Sequence, residues 1–283
     1  MAGFLVSKQS ISVRKIVNLI VEVAEWGFIG YIFMLLFGIK LFDIKEMIKV
    51  MFPVITGGRW FVKAYIIYFL FVPFINKSII NMNKESHKKL LIIMFFLFCI
   101  WPSFIPIPPV IDDYGYGFIH FIFIYTVISY IKLHVTSLPN KNICLISYLI
   151  FSLLTVGSRF LNLCMSWAYN HLFVVCSAVS LFLYFVQLDI KSKYTNILSS
   201  CSFGVFLIHT DGFFSWLIYD KIFQATKMLN ADILILISTF FICLPTFYLF
   251  GWILEMIRKR MIGLFLNKVI DKILILNRTI YVK

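Results

Sequence analysis

The chain has 283 residues, 61% of them hydrophobic and only 14% charged, with a net charge of +13 and a mean hydropathy of +0.93. Soluble domains run nearer 45–50% apolar and about 25% charged, so this composition excludes a water-soluble globular protein. Its basic residues fall between long apolar runs, where they set membrane topology and meet anionic lipid head groups, and no nucleic-acid partner is expected.

The first fifteen residues carry Lys8, Arg14 and Lys15 without an apolar core of their own, so no signal peptide is read there. Beyond them, windows of about 19 residues place apolar spans near 18–39, 60–76, 89–107, 117–131, 143–161, 169–187, 202–219 and 232–255. Runs such as Leu90 to Phe98 are unbroken, which argues against the alternating pattern of a β-barrel strand. Backbone groups in lipid must be satisfied within the segment. The expected fold is therefore all-α, a polytopic transmembrane helical bundle of about eight spans. With that count, 18 of the 26 Lys and Arg residues fall on the side of the termini and the loop Pro106 to Gly117 carries only Asp112 and Asp113. By the positive-inside rule both termini are cytoplasmic. Residues 1–257 read as the transmembrane domain and 258–283 as a cytoplasmic tail, in which Ile262, Leu264, Val269 and Ile273 alternate with Lys268, Lys272 and Arg278 as an interfacial amphipathic helix would.

Polar groups inside apolar spans are costly and mark functional sites by default. His209 and Asp211 share the seventh span, and Glu22 and Glu25 share one face of the first, with Arg14 or a proton path as their open partners. Towards the extracytoplasmic side fall Arg59 and Trp60, Asp112, Asp113, Tyr114 and His120, and Arg159. Such residues suit a glycan, because aromatic faces stack on sugar rings while Arg and Asp bind hydroxyls; interfacial anchoring or snorkelling accounts for the same residue types. His87, His134 and His171 sit in or beside loops and read as solvated. Cys99, Cys144, Cys164, Cys176, Cys201 and Cys243 are scattered, with no CxxC pair and no His at ligand spacing, so they read as packing thiols and no metal site is expected. Phosphate loops, GxSxG elbows and HExxH motifs are also missing from the sequence.

Several segments in order carry a resemblance: Arg59-Trp60-Phe61-Val62-Lys63-Ala64-Tyr65 followed by Pro73-Phe74-Ile75-Asn76; Gly115-Tyr116-Gly117-Phe118 with Tyr125 and Tyr130-Ile131; Tyr169-Asn170 with Ser180-Leu181-Phe182 and Ile190 to Asn196; and Phe203-Gly204-Val205-Phe206-Leu207-Ile208-His209. Together they resemble the acyltransferase-3 family, integral-membrane enzymes that O-acylate bacterial surface polysaccharides. The resemblance implies an O-acyltransferase of the bacterial inner membrane. Acetyl-CoA would be the acyl donor, with no bound cofactor, and a surface polysaccharide or O-antigen the acceptor. It also implies about ten spans, with the catalytic His in the first. Ala2-Gly3-Phe4-Leu5 resembles a short element that follows that His, so the chain is expected to lack the family's first two spans and its base, leaving His209 as a substitute candidate. On this reading Arg59, Trp60, Asp113, His120, Arg159 and His209 face the acceptor, and Arg14 and Lys15 the donor. A rival expectation is a multi-pass transporter or flippase of glycan intermediates, with His209 and Glu25 as proton relays.

Overall fold

The computed structural model describes residues 10–56, 59–105, 113–161, 166–228, 231–263 and 279–281. Among them everything regular is helical apart from a two-stranded pairing of Ser10–Ser12 with Thr279–Tyr281. The chain divides into two compact units. The first comprises Met1–Ile11, Trp60–Ile190 and Ile280–Lys283, the second Ser12–Arg59 and Lys191–Thr279.

All eight apolar segments read from the sequence are helical, but they are not equivalent. Among the described residues five helices are long and apolar enough to cross a membrane: Arg14–Leu36, Trp60–Ile80, Lys84–Phe104, Lys141–Phe160 and Ile233–Gly263. A sixth crossing comes from Lys193–His209 and Gly212–Ile222 if they are taken together, although the two are bent by 81°. The remaining two, Phe118–His134 and Leu172–Val186, have 17 and 15 residues. At 1.5 Å per residue the shorter rises about 22 Å, against a hydrocarbon core of about 30 Å. Lipid is the solvent these helices expect. The most apolar window of Ile233–Gly263 has no residue buried inside the protein, and Leu234, Phe241 and Ile242 are open to the outside.

In the first unit, Trp60–Ile80 packs on Phe118–His134 through Tyr68, Val72, Ile79 and Tyr125, with Phe118, Phe121 and Ile122 around them. A second core joins Met94, Cys99, Phe123 and Val175. The Pro73-to-Asn76 motif gains a physical meaning here, since buried Asn76 accepts the Tyr125 hydroxyl proton. Pro73 lies within its helix, a position that membrane helices tolerate where neighbours satisfy the freed carbonyl. The thiols Cys99, Cys144 and Cys201 are buried and free; Cys164 lies outside the described residues.

In the second unit the helix Val13–Leu36 packs on Ile44–Met51, on Ser202–His209 and on the turn after it. Asp43 opens Ile44–Met51 by accepting the Lys45 N–H, and the Tyr31 hydroxyl ties down the same loop through the Asp43 backbone. Arg258 is the last residue of the helix Ile233–Arg258 and is buried. Residues 264–278, which carry most of the expected amphipathic pattern, lie outside the described residues.

Candidate functional site

The seventh apolar segment is a broken helix. Ser202–His209 stops, Thr210 and Asp211 turn the chain, and a second helix begins at Gly212. A break inside a membrane segment exposes carbonyls at one helix end and N–H groups at the other, each needing a partner. Here the partners come from close by. The Thr210 hydroxyl lies 2.9 Å from the Phe206 carbonyl, and the Asp211 carboxylate accepts the Phe213 N–H. Arg59 completes the arrangement: its guanidinium donates to the Leu207 carbonyl at 3.2 Å, to the Thr210 hydroxyl and to Asp211 at 3.3 Å. Both charged side chains are nearly sealed, with 10% of Arg59 and 9% of Asp211 exposed. Arg59 is thus held in the fold by a carboxylate and a helix end, which excludes a free snorkelling role. Gly30 makes room for this pair, because a Cβ at that position would run into the Asp211 carboxylate.

His209 is the last residue of the first half-helix, half-buried against Phe206 and Phe247. Its Nδ1 lies 3.4 Å from the Val205 carbonyl. A carbonyl only accepts, so Nδ1 is the donor in this contact, and in the neutral ring the lone pair is left on Nε2. His209 therefore sits at the break itself.

A second polar layer lies deeper in the same unit, around Glu22, which precedes Gly30 by eight residues or about 12 Å of helix. Arg258 pairs with Glu22 at 3.3 Å, with Glu25, and with Glu255 at 2.6 Å. The Trp26 indole donates to Glu255 at 2.9 Å, and Lys259 stands 3.6 Å from the same carboxylate. Three carboxylates thus share two cations. Glu22 and Glu25 find Arg258 as their partner, answering the question the sequence left open. Glu255 went unread in the sequence and Arg258 was read only as a cation of the tail, although their three-residue spacing is the signal that singled out Glu22 and Glu25. Gly204 is the residue that admits Glu255, for any Cβ there would overlap its carboxylate. The Phe-Gly-Val motif therefore owes its glycine to a buried charge. An apolar cavity of about 300 Å³ beside this layer is lined by Trp26, Phe33, Phe213, Phe214, Leu254 and Arg258, among others. Its one charged wall group is already held by three carboxylates, so it suits hydrocarbon rather than an ionic ligand.

The remaining candidates lie in the first unit or at the start of the first helix. Trp60 meets Tyr116 at 4.6 Å and Tyr169 at 5.5 Å between ring centroids, and Tyr116 meets Tyr169 at 5.2 Å. All three rings are partly open to the outside, Trp60 at 39%. A tight turn sets this group: Tyr114 and Gly115 both take positive φ, at 58° and 82°. The Asp113 carboxylate accepts the Gly115 N–H at 3.1 Å, and the Tyr169 N–H donates to the Tyr114 carbonyl. Arg159 lies over the Trp167 ring at 4.4 Å. His120 joins neither group; its ring faces Phe123 and its buried Nδ1 has no partner. Asp112 lies outside the described residues. Arg14 and Lys15 occupy the first turn of Val13–Leu36, half-buried and exposed respectively, where the helix dipole disfavours cations.

Two of the histidines expected in solvent are buried. His87 is 0% exposed and His171 1%, because each opens a helix that packs into the first unit; His134 is half-buried. Among the described residues no group of three or more His, Cys, Asp or Glu stands where it could hold a metal ion.

A multi-pass helical membrane protein with a broken, charge-braced helix is the class these observations define. The acyltransferase-3 family model, described as an acyltransferase domain, matches residues 2–256, and the chain belongs to that family and is an acyltransferase. No curated protein and no solved structure matched the chain.

Proposed function

We propose that this protein moves an acetyl group from acetyl-CoA to a hydroxyl of a cell-surface polysaccharide or O-antigen. It would act as an eight-span protein of the bacterial inner membrane with both termini in the cytoplasm. The observation that carries the acceptor class is the open group of Trp60, Tyr116 and Tyr169, a set of rings suited to stacking on a sugar. Arg159 on Trp167 adds a guanidinium for hydroxyls or acidic sugars. Arg14 and Lys15 are the cations for the phosphates of the donor, which guanidinium groups bind well. His209 Nε2 takes the proton of the attacking hydroxyl as its oxygen forms the new ester bond; the thioester C–S bond breaks, and the proton passes to the departing thiolate.

The test is proton NMR of the O-acetyl content of surface polysaccharide from a deletion strain. The strain is complemented with this 283-residue chain, with the same chain carrying Trp60→Ala or His209→Gln, and with an upstream-extended version. Acetylation restored by the chain and lost with His209→Gln supports the reading. Restoration that survives His209→Gln moves the base elsewhere, and restoration only by the extended version places it upstream. The broken helix favours a second reading, movement of a glycan intermediate across the membrane, because discontinuous helices braced by charges are the binding elements of many transporters. Purified protein that consumes acetyl-CoA in the presence of glycan excludes transport as the sole activity.

A further inference from the structure

His87 and His134 lie at the same end of two packed helices of the first unit, His87 in the first turn of Lys84–Phe95 and His134 at the close of Phe118–His134. Their rings stand 5.2 Å apart between centroids and cross at 81°, and Tyr130 closes a triangle with both at 5.1 Å. His87 Nε2 lies 3.2 Å from the Thr126 carbonyl. A carbonyl only accepts, so Nε2 carries the proton and Nδ1 keeps its lone pair. That Nδ1 is buried and without a hydrogen-bond partner, and so is Nε2 of His134. Leaving such a group unpaired is costly, and two of them on touching rings call for a shared explanation.

We propose that His87 and His134 form a two-imidazole site for a borderline-soft divalent cation of the zinc class. With metal–nitrogen bonds of about 2.1 Å and a tetrahedral angle, two imidazole centroids sit about 5 Å apart, which is the separation of these rings. The Thr126 carbonyl on the far nitrogen of His87 is the partner that metal-bound imidazoles use to fix tautomer and orientation. Both residues lie at helix ends beside loops. Lys84, Lys88 and Lys132 belong to the same helix ends and oppose a cation. With two protein ligands, water completes the coordination and the site is a reversible one.

The experiment uses the full chain in detergent, with any affinity tag removed, titrated with Zn²⁺ by calorimetry. It is paired with zinc-edge X-ray absorption on the loaded wild type. The expected result is one Zn²⁺ per chain, two imidazoles in the absorption spectrum, and at least about tenfold weaker binding in His87→Gln and in His134→Gln. Failure of the wild type to take up one Zn²⁺ per chain overturns the proposal, as does a spectrum without two imidazoles. Unchanged affinity in both variants, each eluting as the wild type does, also overturns it. Should the variants fold poorly, the wild-type spectrum decides alone.

Discussion

The two units treat polarity in opposite ways. In Ser12–Arg59 with Lys191–Thr279 the polar groups are charges, sealed and paired: Arg59 with Asp211, and Arg258 with Glu22, Glu25 and Glu255. Among the described residues of Trp60–Ile190 the buried polar side chains are hydroxyls, amides and imidazoles, such as Asn76, Ser103, Thr126, His87 and His171, with no Asp, Glu, Lys or Arg, and the rings of Trp60, Tyr116 and Tyr169 stay partly open. The difference follows from dielectric. A charge in a membrane segment is tolerated only when another charge and hydrogen bonds neutralise it, so the second unit's charges are committed to holding helices together. An aromatic ring needs no such partner and can keep a face free for ligand.

Arg258→Met is the substitution expected to break this contrast most deeply. It strands Glu22 and Glu25, leaves Glu255 to Lys259 and Trp26, and is expected to cost about 3–5 kcal/mol, the range for breaking a buried ion pair, read as loss of monodisperse protein or a lowered thermal midpoint in detergent. Adding Glu25→Gln and Glu255→Gln to that variant should recover part of the loss; no recovery would mean the cluster is not governed by charge. Arg59→Met is expected to cost about 1.5–3 kcal/mol through the lost charged hydrogen bonds at the helix break, and to abolish acyl transfer by disordering the turn next to His209. Gly204→Val tests the contact between the motif glycine and Glu255. Overpacking there should cost about 1–3 kcal/mol, with Glu255→Ala in the same chain relieving it. Trp60→Ala sharpens the contrast from the other side. It removes partly exposed ring contacts worth about 0.5–1.5 kcal/mol each, so stability should fall no further than in Gly204→Val. The KM for a soluble glycan acceptor should rise with kcat little changed. A lowered kcat at unchanged KM would mean the open rings do not bind the acceptor.

Much of the architecture was legible in the chain. The eight apolar runs are all helices because hydrophobic length is a local property, and the family motifs lie in order along one strand of sequence. Asp211, two residues after His209, and the Glu22–Glu25 pair were recognisable as costly groups for the same local reason. Partners were not legible. Glu22 and Glu25 are separated from Arg258 by more than 230 positions, and nothing in a hydropathy window relates them. The roles of Arg59 and of the buried His87 likewise depended on which helix faces meet.

By itself, then, the sequence determined that this is a helical membrane protein of the acyltransferase-3 type, because water cannot solvate its surface and its motifs stand in order. Only the tertiary structure decided that the seventh segment breaks at Thr210 and Asp211, and that Gly30 and Gly204 exist to admit two buried carboxylates. The reason is physical: desolvating a charge is a cost read from one residue, whereas its compensation is a contact between residues that the chain brings together only when it folds.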